Sequence, residues 1–168
     1  IASRFAELSH EIIRKFEIQL VFIAMTPSDV EPEKRVIELM KESAVLAPYS
    51  PDFRFVRGII AESQLVFTMK HHPIVFAQGE GVPIVSIALD DYYVLKNKGA
   101  LENTGHGEFL IQASEFQTSR PIDLVGRALE ERSAISEKML QWAEEMRKIE
   151  LDPYQRCIDL VKQSTQAA

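Results

Sequence analysis

Apolar positions along the chain change period several times, and each change marks a new element. Phe5, Leu8, Ile12 and Phe16 recur every three or four residues in ASRFAELSHEIIRKF, the spacing of one helical face. IQLVFIAM follows as a short β-branched run and reads as a buried strand. A second helix is expected from Pro32, with Val36, Ile37 and Met40 on one face, and VLAP then reads as a short strand. Ser50 and Pro51 suit an N-cap and a first helical residue, so a third helix is expected from about Pro51 to Ser63. LVFTM, PIVSIAL and EFLIQA supply three more strands, separated by helices from about His72 to Gln78 and from Asp91 to Glu102. From Pro121 onward one long helix is expected, with Ile135, Met139, Trp142, Met146 and Ile149 at spacings of four and three. Leu151-Asp152-Pro153 is expected to break it, leaving a short last helix with Tyr154, Ile158 and Val161.

Strands alternating with helices imply a parallel sheet, and strands apolar almost throughout imply that both its faces are covered. The expected fold is therefore a three-layer, Rossmann-like α/β domain with a mostly parallel sheet and a long C-terminal helix. A chain of 168 residues fits one such domain. A βαβ unit normally begins with a strand, whereas this chain opens inside a helix, so it is expected to be a piece of a longer protein.

Composition narrows the function classes. With a net charge of -6, binding nucleic acid over the whole surface is disfavoured, because that binding works by neutralising phosphates. No apolar run approaches the roughly 20 residues that span a bilayer. Cys157 is the lone cysteine and no Cys/His cluster has zinc-ligand spacing, which together suggest a reducing, cytoplasmic setting without a structural metal.

Candidate chemistry gathers where LVFTM meets its helix. In parallel α/β sheets ligands bind beyond the carboxyl ends of strands, where helix N-termini present free N–H groups and a partial positive charge. Thr68 would add a hydroxyl there, Lys70 a full charge, and His71 and His72 imidazoles suited to proton transfer near neutral pH. The pattern fits a small anion site, or else a solvated basic loop.

The segment ESQLVFTMKHHPIVFAQGEGVPIVSIALDD resembles the signature region of the polysaccharide pyruvyl transferases. In that family a strand ends in Ser-x-Arg-x-His, an apolar helix follows, and Gly-Val-Pro leads into the next strand. Thr68 falls on the Ser, Lys70 on the Arg, His72 on the His, and Gly81-Val82-Pro83 on the closing tripeptide. The likeness is close over about residues 60–91 and loose over 1–149. It implies the C-terminal half of a two-domain, GT-B-like enzyme that moves a pyruvyl group from phosphoenolpyruvate onto a saccharide hydroxyl in cell-surface polysaccharide synthesis, inactive without its N-terminal domain. The resemblance also implies His72 as the catalytic acid or donor, Thr68 and Lys70 as donor-binding residues, and no metal or cofactor; His71 is expected to join the substrate-binding residues from its place at the helix start. Lys70 lacks the planar bidentate fork of Arg, which changes how a phosphate or carboxylate would be held. His71 and Pro73 also depart from the family's usual residues. A nucleotide-sugar glycosyltransferase half would use the same helix start for a diphosphate. A non-catalytic binding module is the alternative outside enzymes.

Asp90 and Asp91, after PIVSIAL, lie at the next strand's carboxyl end and either bind ligand or cap the following helix. Lys96, Asn97 and Lys98 are expected near that helix's end, and His106 in the loop before EFLIQA, at the wrong end of a strand for such a site. His10 is expected to be structural or exposed. Gly79, Gly81 and Pro83 follow a helix and precede a strand, so they punctuate a turn and do not form a phosphate loop.

Overall fold

A computed structural model describes residues 1–166. Helix α1 spans Ala2–Phe16 and is followed by strand β1 (Val21–Phe22), a 3-10 turn (Pro27–Asp29), α2 (Val30–Leu39), β2 (Val45–Leu46) and α3 (Phe53–Ala61). Strand β3 (Val66–Thr68), α4 (His71–Glu80), β4 (Ile84–Ala88) and α5 (Asp91–Asn103) come next. A 3-10 turn (Gly107–Phe109) then leads into β5 (Leu110–Gln112), α6 (Arg120–Glu130) and α7 (Arg132–Gln166). The five expected strands are all present, and all pair in parallel. They form two small sheets, β1-β2 and β3-β4-β5.

The centre of the molecule is β4. Every residue from Ile84 to Ala88 is buried, so both faces of the strand are covered, as its unbroken apolar run requires. Ser86 turns toward α5, where Asn97 meets it, and α6 also packs on β4. Ile74 and Ala77 of α4, Leu101 of α5 and Leu124 and Val125 of α6 join β4 in one continuous core. The chain is thus an α/β domain with a long C-terminal helix. No helix among the described residues is long and apolar enough to cross a membrane.

Several expectations are corrected. The IQLVFIAM strand is not buried: β1 is two residues long, pairs only with the equally short β2, and leaves Val21 44% exposed. Helix α3 is capped by Asp52, whose carboxylate accepts from Arg54 N–H, and Ser50 instead receives the N–H of Asp52. The long helix from Pro121 is two helices, since the chain turns at Glu131, whose N–H donates to the carbonyl of Arg127. Pro153 does not break α7, which runs through it for 35 residues, about 50 Å. A proline removes one backbone hydrogen bond, and Ile149, four residues earlier, is 61% exposed, so water can reach the carbonyl left over. Burial along the Met/Trp/Ile stripe fades accordingly: Ile135 and Met139 are buried, Trp142 and Met146 half-buried.

Candidate functional site

Strands β3 and β4 are parallel neighbours with Thr68 opposite Ser86, so the helices that follow them, α4 and α5, start on the same edge of the sheet. Lys70 is the N-cap of α4 in extended conformation, and His71, His72 and Pro73 are its first three residues. Four N–H groups at a helix start have no intrahelical partner. Here Lys70 N–H is satisfied by Thr68 Oγ at 2.9 Å and Pro73 has none, so the N–H groups of His71 and His72 are the two for which the helix itself supplies no acceptor. Thr68 is therefore engaged in the turn itself, its hydroxyl also donating to Lys70 O at 3.3 Å.

The two histidines point differently. His72 is exposed, and its ring lies 6.5 Å from that of Phe76, which in turn lies 6.4 Å from the exposed ring of Phe53. His71 is half-buried against α5. Burial pushes its imidazole below the ordinary value and the Lys96 charge adds to this, while the Asn97 side chain works the other way and His72 again lowers it. Burial thus favours the neutral form of His71. Neither His71 Nδ1 nor Asn97 Oδ1 has a hydrogen-bond partner of normal geometry.

Lys70 is not a free cation. Its Nζ lies 2.8 Å from Asp29 Oδ1, in the loop that leads from β1 into α2. Burial favours the neutral form of Asp29, but hydrogen bonds from Lys70 and Thr26, with the Lys70 charge, hold its carboxyl below the usual range. Glu33, one turn further along α2, is pushed up to about 7 by burial and by the Asp29 charge, with Lys70 opposing. The turn therefore combines one ammonium, two carboxylates, two imidazoles and two free backbone donors.

Asp90 and Asp91 are brought to the same edge but not into this cluster by any hydrogen bond. Asp90 caps α5, accepting the N–H of Tyr93 at 2.9 Å, and Asp91 is exposed in its first turn. Lys96 to Lys98 lie in the middle of α5 and not near its end. Lys96 stacks on Tyr92 at 5.6 Å, while Asn97 is fully buried, donating to Met69 O at 3.2 Å and Ser86 Oγ at 3.1 Å. His106 is buried, its Nδ1 3.0 Å from Thr104 Oγ, which also receives Gln78 Nε2 at 3.4 Å and donates to Leu101 O. With the Thr104 proton so committed, His106 carries its own on Nδ1. His10 is half-exposed beside Glu42. A separate surface groove of about 740 Å³ between α1 and the end of α2, lined by Glu7, His10, Arg14 and Lys41, contains none of the α4 residues.

Sequence reasoning missed Asp29 and Glu33 as members of the turn and misplaced Asn97. The first had a usable signal: Thr26-Pro-Ser-Asp29 is a capping box, and it follows β1 at that strand's carboxyl side. Asn97 had one as well, since it shares a helical face with Tyr93, Ala100 and Leu101.

Comparison with protein-family models, curated proteins and solved structures finds no match to this chain.

Proposed function

We propose that the β3–α4 turn binds phosphoenolpyruvate and that the domain is half of a polysaccharide pyruvyl transferase, moving the pyruvyl group onto a saccharide hydroxyl. The observation that carries this reading is the placement of His72. It is exposed at the second position of α4, on the carboxyl edge of a parallel sheet, in a Thr-x-Lys-x-His pattern closed by Gly81-Val82-Pro83. In the proposed reaction a sugar hydroxyl oxygen bonds to the central carbon of phosphoenolpyruvate as the methylene carbon gains a proton. A second hydroxyl then displaces the phosphate and closes the ketal. His72 donates to the donor's carboxylate and is the acid that protonates the methylene, and the N–H groups of His71 and His72 with Lys70 hold the phosphate. A second reading, a binding module without turnover, draws support from the engagement of Lys70 by Asp29.

Calorimetric titration with phosphoenolpyruvate, inorganic phosphate and a UDP-sugar, on wild type and His72→Ala, tests the proposal. Phosphoenolpyruvate is expected to bind about tenfold or more tighter than phosphate, and His72→Ala to lose most of that difference with an unchanged circular dichroism spectrum. If phosphoenolpyruvate binds no better than phosphate, the pyruvyl reading fails. Preferential binding of the UDP-sugar would move the domain to the glycosyltransferases.

A further inference from the structure

Two carboxylates surround the one lysine of the α4 turn. We infer that Asp29 and Glu33 are a built-in counter-anion for this turn, so that a phosphate or carboxylate binds only by taking Lys70 away from Asp29. The inference rests on reading the turn as an anion site. Asp29 is the fixed partner: its Oδ2 accepts the N–H of Thr26 at 2.9 Å, leaving Oδ1 for Lys70 Nζ at 2.8 Å, and its side chain is only 16% exposed. Lys70 is the movable one, 45% exposed on a four-carbon stem.

Glu33 gives the arrangement its proton dependence. Its Oε2 is buried without a partner, and the groups facing it are Asp29 and Lys70. Once an anion has taken Lys70, two carboxylates remain side by side with their ammonium withdrawn, and like charges so placed cannot both stay ionised cheaply. Glu33, already near neutrality in its affinity for a proton, is the one that takes it up. Anion binding is thereby coupled to proton uptake by Glu33. His71, faced by Lys96, Asn97 and His72, contributes a separate pH dependence.

Asp29→Asn is the direct test, because the amide oxygen still accepts from Thr26 N–H while the charge is gone. Binding of inorganic phosphate and phosphoenolpyruvate is measured at pH 6.5 and 8.5 for wild type, Asp29→Asn and Glu33→Gln. In the same samples acetylation of Lys70 by an N-hydroxysuccinimide ester is followed by mass spectrometry, with Lys34 as internal reference. Asp29→Asn is expected to bind both anions about 5- to 30-fold tighter and to have Lys70 acetylated several-fold faster. Glu33→Gln is expected to flatten the rise in affinity toward pH 6.5, the remainder belonging to the histidines. Unchanged acetylation of Lys70 in Asp29→Asn overturns the inference whatever the anions do. If wild type binds phosphoenolpyruvate but Asp29→Asn gains nothing, the inference falls and the proposed function stands; if no variant binds either anion, both fall.

Discussion

Asn97 Nδ2 donates to both the carbonyl of Met69, at the end of β3, and the hydroxyl of Ser86, in the middle of β4. One fully buried amide on α5 therefore sets where the β3–α4 turn stands relative to the central strand.

Replacing Asn97 by Ala would leave the Ser86 hydroxyl and the Met69 carbonyl without this donor and open a small void. Unpaired buried polar groups cost roughly 1–3 kcal/mol each, so a loss of about 2–3 kcal/mol is expected. A denaturation midpoint that falls with an unchanged m-value would show it, together with faster amide exchange in residues 69–72. A loss below about 0.5 kcal/mol would mean that the turn is held by something else.

The fold and the site differ in how far local sequence reports them. Residues 65–89 are readable because an apolar run too short for a helix, a proline at the start of α4 and a glycine at its end are all local signals. The length of β1 is not, since β-branched enrichment is the same in an interior strand and a two-residue edge pair. The break at Glu131 carries neither Gly nor Pro, and so had no marker. The state of Lys70 depends on Asp29, which lies far upstream and reaches it only through the fold. Sequence thus places the basic residues of the turn but not their counter-charges, and the balance of charge decides what the turn can bind.

Glu33 makes a prediction about stability that is independent of any ligand. Its folded-state value, about 7, is above the ordinary 4.5, so between these pH values the folded protein keeps a proton that the unfolded chain has released. Stability from this group is present at pH 4, is lost as pH rises through that window, and loses no more above it. Glu33→Gln removes the effect and is expected to add on the order of 1 kcal/mol at pH 8, after allowing for the solvent that reaches the carboxylate, and nothing at pH 4. His71 and His106 work with the opposite sign: burial holds both below 6.5, so their contributions are lost as pH falls below that value. Comparing the two proteins at each pH cancels the histidines. Parallel stability profiles for wild type and Glu33→Gln would contradict the assignment.

Gly81 closes α4 with a φ of +68°, in the left-handed region, and a Cβ placed on it would lie 2.7 Å from Leu140 Cγ and 3.0 Å from Ser136 Oγ. The glycine of the Gly81-Val82-Pro83 motif is thus explained by the fold: it turns the chain into β4 and lets α7 pack directly on the end of α4. Gly81→Ala would meet both constraints. The left-handed conformation costs an alanine about 1–2 kcal/mol, and relieving the overlap with Leu140 adds a similar amount, for an expected loss of about 2–3 kcal/mol. The two parts are separable. In Gly81→Ala combined with Leu140→Ala the overlap with Leu140 is removed and only the tight approach of Ser136 Oγ remains, so the double variant should be more stable than the sum of the single losses, while the conformational part persists. Additive losses in thermal or denaturant unfolding would show that α7 does not press on this turn.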